Sequence, residues 1–269
     1  MTVLPGSRPN TSGIQQWRVL TARLVAPTWR NGEVAVGVAV SAAVTASLYI
    51  PLNRLMSGPD LGMSSYAQFL VPLIVMQAIA FASISTAFRA ASDSVKGINR
   101  RFQSLPITLL TPLAARMTAS VYRCVIGLGV ALVCGHIIGF RFHRGPLDAL
   151  LFCLLALFAG LALALLGDTL GTKSRDPAAT AQWLLLPQLI FGFLSVGVQP
   201  LHRFPEWIQP VVENQPISRL IDAMRSLAGD SQPGVAPVTW SVVWPALAWV
   251  IGIAAVTLPW TVAVYRRRS

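Results

Sequence analysis

The sequence predicts an all-α, polytopic membrane protein, and three observations carry that reading. First, the 269 residues are 54% hydrophobic and only 12% charged, whereas an average soluble domain is roughly 25% charged. A surface so poor in solvated groups leaves lipid as the natural solvent. Second, six apolar stretches approach or exceed the length of about 20 residues that crosses a bilayer. Third, the basic residues fall in short clusters between those stretches, where they orient spans.

The six predicted spans are Val34–Pro51, Ala67–Ala90, Ala114–Ile138, Leu147–Leu170, Ala179–Val198 and Trp240–Val264. A soluble bundle of six buried helices is excluded, because too few charged faces remain to keep its outside wet. The polar opening MTVLPGSRPNTSG lacks the apolar core of a cleavable signal peptide, so insertion is expected to begin at the first span. With that N-terminus inside, the inner segments hold 14 basic residues, among them Arg23, Arg89, Lys96, Arg116 and Arg266, against six outside. Both termini are therefore expected in the cytoplasm.

The net charge of +11 raises nucleic acid as a partner. That reading is rejected, because a nucleic-acid surface is one continuous basic footprint and these clusters are separated by apolar runs. Cys124, Cys134 and Cys153 all lie inside apolar stretches without a CxxC pair. They read as small hydrophobes, neither disulfides nor metal ligands.

Three segments outside the spans keep helical periodicity. Within residues 1–31, Ile14, Trp17, Leu20 and Leu24 share one stripe. This suits a helix lying in the inner interface, anchored by Trp17 and Trp29, with Pro27 bending it into the first span. Between spans two and three, Val95, Ile98, Phe102 and Leu105 form a second stripe, with Lys96 and Arg100 off it, ending at Pro106. After span five, residues 199–230 are broken by Pro205, Pro210 and Pro216. There Ile217, Leu220, Ile221, Met224 and Leu227 oppose Arg219, Asp222 and Arg225, and Asp222 and Arg225 stand at i,i+3 pairing distance. Residues 265–269 form a basic tail, and the whole of 32–264 reads as one membrane domain.

Two motifs invite catalytic readings. GDTLGTKS, Gly167 to Ser174, approaches a phosphate-binding loop, but Thr172 occupies the place of the second glycine and no strand precedes it. HRGPLD has the His-x4-Asp spacing of some lipid acyltransferases, with His143 as base and Asp148 as its orienting carboxylate. The competing reading is a tight turn on Gly145 and Pro146. A multi-span lipid-modifying enzyme is thus the alternative function.

Two charges fall inside spans: Arg123 in the third and Asp168 near the inner end of the fourth. Intramembrane charge is costly and usually faces protein or a wet cavity. Arg123 is expected to attract a polar substrate head, to pair with Asp168, or to snorkel to the inner interface.

A loop that merely joins two spans needs no apolar stripe. The segment from Asp93 to Pro106 therefore reads as a helix that seats in a groove of a partner, with Arg100 and Arg101 meeting acidic groups or lipid phosphates. At this point the residues resemble a known family. FRAASDSVKGINRRFQSLPITLLTPLAARM, with VCGHIIGFRFHRG and the run from LLPQLIFGF to IDAMRSLAG, is similar to ABC-2 type exporter permeases of the daunorubicin-resistance, DrrB-like branch.

The resemblance implies an interfacial elbow helix, six spans, a coupling helix at about 93–106 and short outer-face helices between spans five and six. It implies a bacterial plasma membrane location and a separate cytoplasmic ABC ATPase that holds ATP and Mg, with no cofactor or metal on this chain. A second permease, either a DrrC-like sister or another copy, would complete the path. The cargo would be a drug-like amphipath or a complex lipid of the phthiocerol dimycocerosate type. By family analogy the ATPase would be met by Asp93, Val95, Lys96, Ile98, Arg100, Arg101, Phe102, Leu105 and Pro106, and Lys96 stands where an apolar residue would fit equally well. Arg123, Asp168, Phe191 and Phe193 are the expected substrate-path residues.

Overall fold

The computed structural model describes residues 12–30, 32–56, 64–98, 110–230 and 237–266. All regular secondary structure among them is helical: α1 (Gly13–Arg30), α2 (Glu33–Met56), α3 (Tyr66–Val95), α4 (Leu110–Ile137), α5 (Pro146–Lys173), α6 (Pro177–Phe193), a 3-10 turn at Leu201–Arg203, α7 (Gln209–Asn214), α8 (Pro216–Ala228) and α9 (Trp240–Arg266).

Among the described residues, four helices are long and apolar enough to cross a membrane: Tyr66–Val95, Thr111–Ile137, Pro146–Lys173 and Trp240–Val264. They match the second, third, fourth and sixth predicted spans. The first predicted span lies within α2, a 24-residue helix carrying Pro51 and Arg54 near its end. The fifth is shorter than expected. Its helix α6 has 17 residues and, at 1.5 Å per residue, is about 26 Å long. It stops at Phe193 because Ser195 redirects the chain. The Ser195 hydroxyl donates to the Gly192 carbonyl at 2.6 Å and accepts from the Gly197 N–H at 3.2 Å.

Two helix starts show ordinary side-chain capping. The Ser65 hydroxyl accepts from the Gln68 N–H at the start of α3, and the Asp176 carboxylate accepts from Ala178 and Ala179 at the start of α6. Helix α1 continues through Pro27 to Arg30, and the break before α2 comes at Gly32, whose φ is +71°. A left-handed glycine is what ends the run. The two tryptophans expected to anchor α1 in lipid also hydrogen-bond to α4. Trp17 donates to the Thr118 hydroxyl at 3.2 Å, and Trp29 to the Tyr122 hydroxyl at 2.5 Å.

Helix α3 is the centre of the bundle, with 67% of its apolar stretch buried, whereas α9 buries 17% and lies at the periphery. The most extensive helix pair is α3 with α5, and small residues permit it. A Cβ on Gly160 would meet the Ile79 side chain at 2.7 Å, and one on Gly171 would meet the Ala87 carbonyl oxygen at 2.2 Å. Gly167 and Gly171 of the apparent phosphate loop are therefore helical contact points against α3. At the other end of α3, Gln68 ties the helix to two turns. Its amide nitrogen donates to the carbonyls of Arg141 and Gly229, and its oxygen accepts from the Arg141 N–H.

Candidate functional site

Three spans converge where α3 ends and α4 begins, and buried charge holds them. Arg116 of α4 is 5% exposed. It donates to Asp168 of α5 at 3.2 Å and to Asp93 of α3 at 3.3 Å. Asp168 is itself fully buried. A buried ion pair offsets its desolvation only when geometry and further hydrogen bonds are good, and a guanidinium spanning two carboxylates supplies that geometry. Arg116 belongs to a cytoplasmic connection on the sequence reading; the structure buries it as the knot between three helices.

Arg123 lies two turns further along α4, 8% exposed. Its guanidinium donates to the hydroxyls of Thr86 at 3.0 Å and Ser120 at 3.2 Å. Those hydroxyls lie 2.8 Å apart, and Ser120 also donates to the Arg116 carbonyl. Arg123 thus sits inside protein, held by α3, and is not snorkelling to an interface. Arg116 is a hydrogen-bond partner of Asp168.

The expected coupling segment begins within α3. Asp93 and Val95 form the last turn, Val95 is 55% exposed, and the Lys96 N–H caps the helix on the Ser92 carbonyl at 3.0 Å. Gly97, with φ +68°, then breaks the run. The helical reading of the segment as one unit from Asp93 therefore divides at this glycine. Arg100, Arg101, Phe102, Leu105 and Pro106 lie outside the described residues. A polar recess of about 190 Å³ opens here between α1, α3 and α4, lined by Arg23, Arg89, Asp93, Lys96, Ile98 and Arg116 among others.

A second cavity, about 280 Å³ and almost wholly apolar, lies between α3, α5, α6, α8 and α9. Phe191 lines it, while Phe193 points outward and is 57% exposed. The four expected substrate-path residues therefore divide: Arg123 and Asp168 belong to the charged end of the bundle, and Phe191 alone reaches the cavity. The sequence reading passed over the two glutamines in the same wall, Gln77 and Gln188. Amide side chains inside apolar spans are the signal that would have found them.

At the far end of α3, α8 lies with Leu220, Ile221, Met224 and Leu227 buried, as its periodicity predicts. The predicted Asp222–Arg225 pair is present at 3.6 Å. Arg225, however, is not on an exposed face. It is 9% exposed, donates to the carbonyls of Phe69 and Val196, and stacks 3.6 Å from the Phe69 ring centre. Burial lowers its pKa to about 10, with Asp222 opposing the shift. Burial likewise raises the Asp222 carboxyl, with Arg225 opposing.

The acyltransferase-like pair does not assemble. His143 is exposed, and its backbone N–H donates to the Ala228 carbonyl at 2.9 Å. Asp148 stands in the first turn of α5, where a carboxylate suits the helix dipole. No hydrogen bond joins the two side chains among the described residues. The turn reading holds, with Gly145 at φ +111°.

Residues 38–262 match the family described as ABC-2 family transporter protein. The chain is 44% identical over 263 residues to the doxorubicin resistance ABC transporter permease protein DrrB of Mycobacterium tuberculosis, covering 96% of this chain and 91% of that protein. It is 28% identical over 275 residues to the probable doxorubicin resistance ABC transporter permease protein DrrC of the same organism, covering 100% and 95%. The daunorubicin resistance ABC transporter permease protein DrrB1 of Streptomyces coeruleorubidus is 28% identical over 207 residues, 76% of this chain and 70% of that protein. With apolar helices fit to cross a membrane and a match across most of its length, the chain belongs to the ABC-2 transporter family and is a membrane permease subunit of an ABC transporter.

Proposed function

We propose that this permease is half of an exporter that moves an amphipathic drug or lipid out of the cytoplasm or inner leaflet, driven by a separate ATPase that binds ATP and Mg. Six crossings place both termini in the cytoplasm, with α2 and the shorter α6 as the first and fifth. The ATPase docks on residues 93–106, where Phe102 and Leu105 seat in its groove and Arg100 and Arg101 meet acidic groups. The observation that carries the coupling is the buried Arg116. It joins α3, α4 and α5 at the root of that segment, so a push there reaches three helices together.

A second permease completes the path. Similarity to both a DrrB and a DrrC protein of one organism supports a sister subunit. The relatives' resistance names support a drug-like amphipath as cargo, and a complex lipid is the other cargo of matching chemistry. Co-purification with the ATPase tests the reading: Phe102→Asp with Leu105→Asp is expected to abolish capture while the permease still inserts. Retained capture would sink it.

A further inference from the structure

We propose that the recess of about 190 Å³ between α1, α3 and α4 holds the phosphate of an anionic phospholipid, gathered by Arg23, Arg89 and Lys96. That the lipid comes from the inner leaflet rests on the orientation proposed above; the site itself does not. The recess is smaller than sites for drug-sized ligands, which begin near about 300 Å³. It therefore admits a head group and leaves acyl chains outside.

Charge selects the occupant. Among the described residues, four cations line the recess, Arg23, Arg89, Lys96 and Arg116, against one carboxylate, Asp93. Arg116 is matched by Asp93 and by Asp168 of α5. With both carboxylates counted, the group keeps a surplus of two positive charges. The elements around the recess cannot cancel it: residues 1–32 and 94–147 contain no Asp or Glu, and Asp93 is the only acidic residue of α3. An isolated exposed arginine needs no anion, because water solvates it. Cations gathered around one concave, low-dielectric wall repel one another and concentrate counter-ions there. Exposure rises from Arg116, buried, through Arg89, half-buried, to Arg23 and Lys96, exposed, so an arriving anion reaches the surplus.

The rest of the wall argues for a lipid. Leu20, Leu24, Pro27, Ile98 and Pro112 share it with the charges, and α1 exposes Ile14, Val19 and Trp29, as a helix in a membrane interface does. Basic pockets between helices at the cytoplasmic face hold phospholipid head groups, and guanidinium forks fit phosphate oxygens. A zwitterionic head brings its own cation against the surplus, so the head carries none, as in phosphatidylglycerol. The recess also gives a use to Lys96, which stands where an apolar residue would fit the stripe equally well. Bound there, the phosphate joins α1 to the end of α3.

The test uses the permease–ATPase complex in lipid nanodiscs, which offer both leaflets, so orientation does not enter. Phosphatidylglycerol and phosphatidylcholine of identical chains are supplied in equal amounts. Lipids that stay on the protein as the disc is stripped away are counted by native mass spectrometry. Phosphatidylglycerol is expected to be retained about tenfold more, the order given by two basic groups near an anionic head. Arg23→Gln with Arg89→Gln should erase that preference. Arg267→Gln with Arg268→Gln removes as much charge from the basic tail and should leave it. If the first variant fails to assemble, hydrogen exchange of α1 in the wild-type complex reads the same site, and phosphatidylglycerol should slow it relative to phosphatidylcholine.

Equal retention of the two lipids, or equal exchange of α1 in both, would overturn the proposal. So would a preference that survives Arg23→Gln with Arg89→Gln, or one that falls equally with the tail variant. Displacement of the lipid by excess glycerol phosphate, against sodium chloride at the same ionic strength, would assign the recess to a soluble anion instead. Lipid retention unchanged in the recess variant but ATPase capture lost would assign it to an acidic group of the ATPase. The docking reading fails separately. ATPase capture by the Phe102→Asp, Leu105→Asp permease sinks that reading and leaves this site standing, whereas equal lipid retention with capture lost does the reverse.

Discussion

Two arginines are buried near opposite ends of α3, and the protein holds them differently. Arg116 lies between carboxylates of two other helices, Asp93 and Asp168. Arg225 is held chiefly by uncharged groups, the carbonyls of Phe69 and Val196 and the face of the Phe69 ring. Its carboxylate partner Asp222 is farther away and half-buried. The difference teaches what each end is built to do. Carbonyls and a ring fix α8 in one place, because they belong to rigid backbone and packed core. A carboxylate–guanidinium–carboxylate chain instead joins three helices through one side chain, at 3.2 and 3.3 Å. The first arrangement ties one helix to packed backbone; the second ties three helices to one side chain.

That contrast breaks most sharply at Arg116. Arg116→Met leaves Asp168 buried without this cation and is expected to cost about 3–5 kcal/mol, read as thermal unfolding of the purified permease. Adding Asp168→Asn should recover part of the loss by removing the buried charge. If Arg116→Met unfolds no earlier than wild type, the coupling role fails.

Arg225→Met removes the donors that Phe69 and Val196 carbonyls now use. It is expected to cost about 1–3 kcal/mol and to expose the α8 region to limited proteolysis. ATP hydrolysis should stay coupled to transport, and an uncoupled Arg225 variant would erase the distinction between the two ends. A smaller effect asks whether close packing also sustains the charged end. Gly171→Ala pushes a methyl onto the Ala87 carbonyl and should destabilise by about 1–3 kcal/mol. Gly252→Ala, with nothing within 4 Å, should be neutral or stabilise by about 0.5–1 kcal/mol. The smallest expected effect is at His143→Ala, where transport should be unchanged; lost activity would revive the enzymatic reading.

Much of this was legible in the residues. Four of six predicted spans returned with similar bounds, because twenty apolar residues in a row have few other fates. The buried face of α8 followed from its 3.6-residue period. The end of α6 did not, because Leu194 to Val198 are as apolar as the helix before them. A hydroxyl bonding back to Gly192 stops that helix, and such a turn leaves little trace in hydrophobicity. Arg123 stood out by its depth in a span, yet Arg116 and Arg225 are buried too. Both were counted as solvent charges, since burial of a residue at a helix end depends on what packs over it.

The apolar runs, the basic clusters between them and the family resemblance were determined by the sequence alone, for they depend on local composition and order. Which carboxylates Arg116 meets, which glycines admit a neighbouring helix, and which two glutamines pair inside the bundle were decided only by the tertiary structure. The Arg116–Asp93, Arg116–Asp168 and Gln188–Gln77 pairs join residues 23, 52 and 111 positions apart, and the physical reason is that hydrogen bonds and contact distances act through space, where sequence separation carries no information.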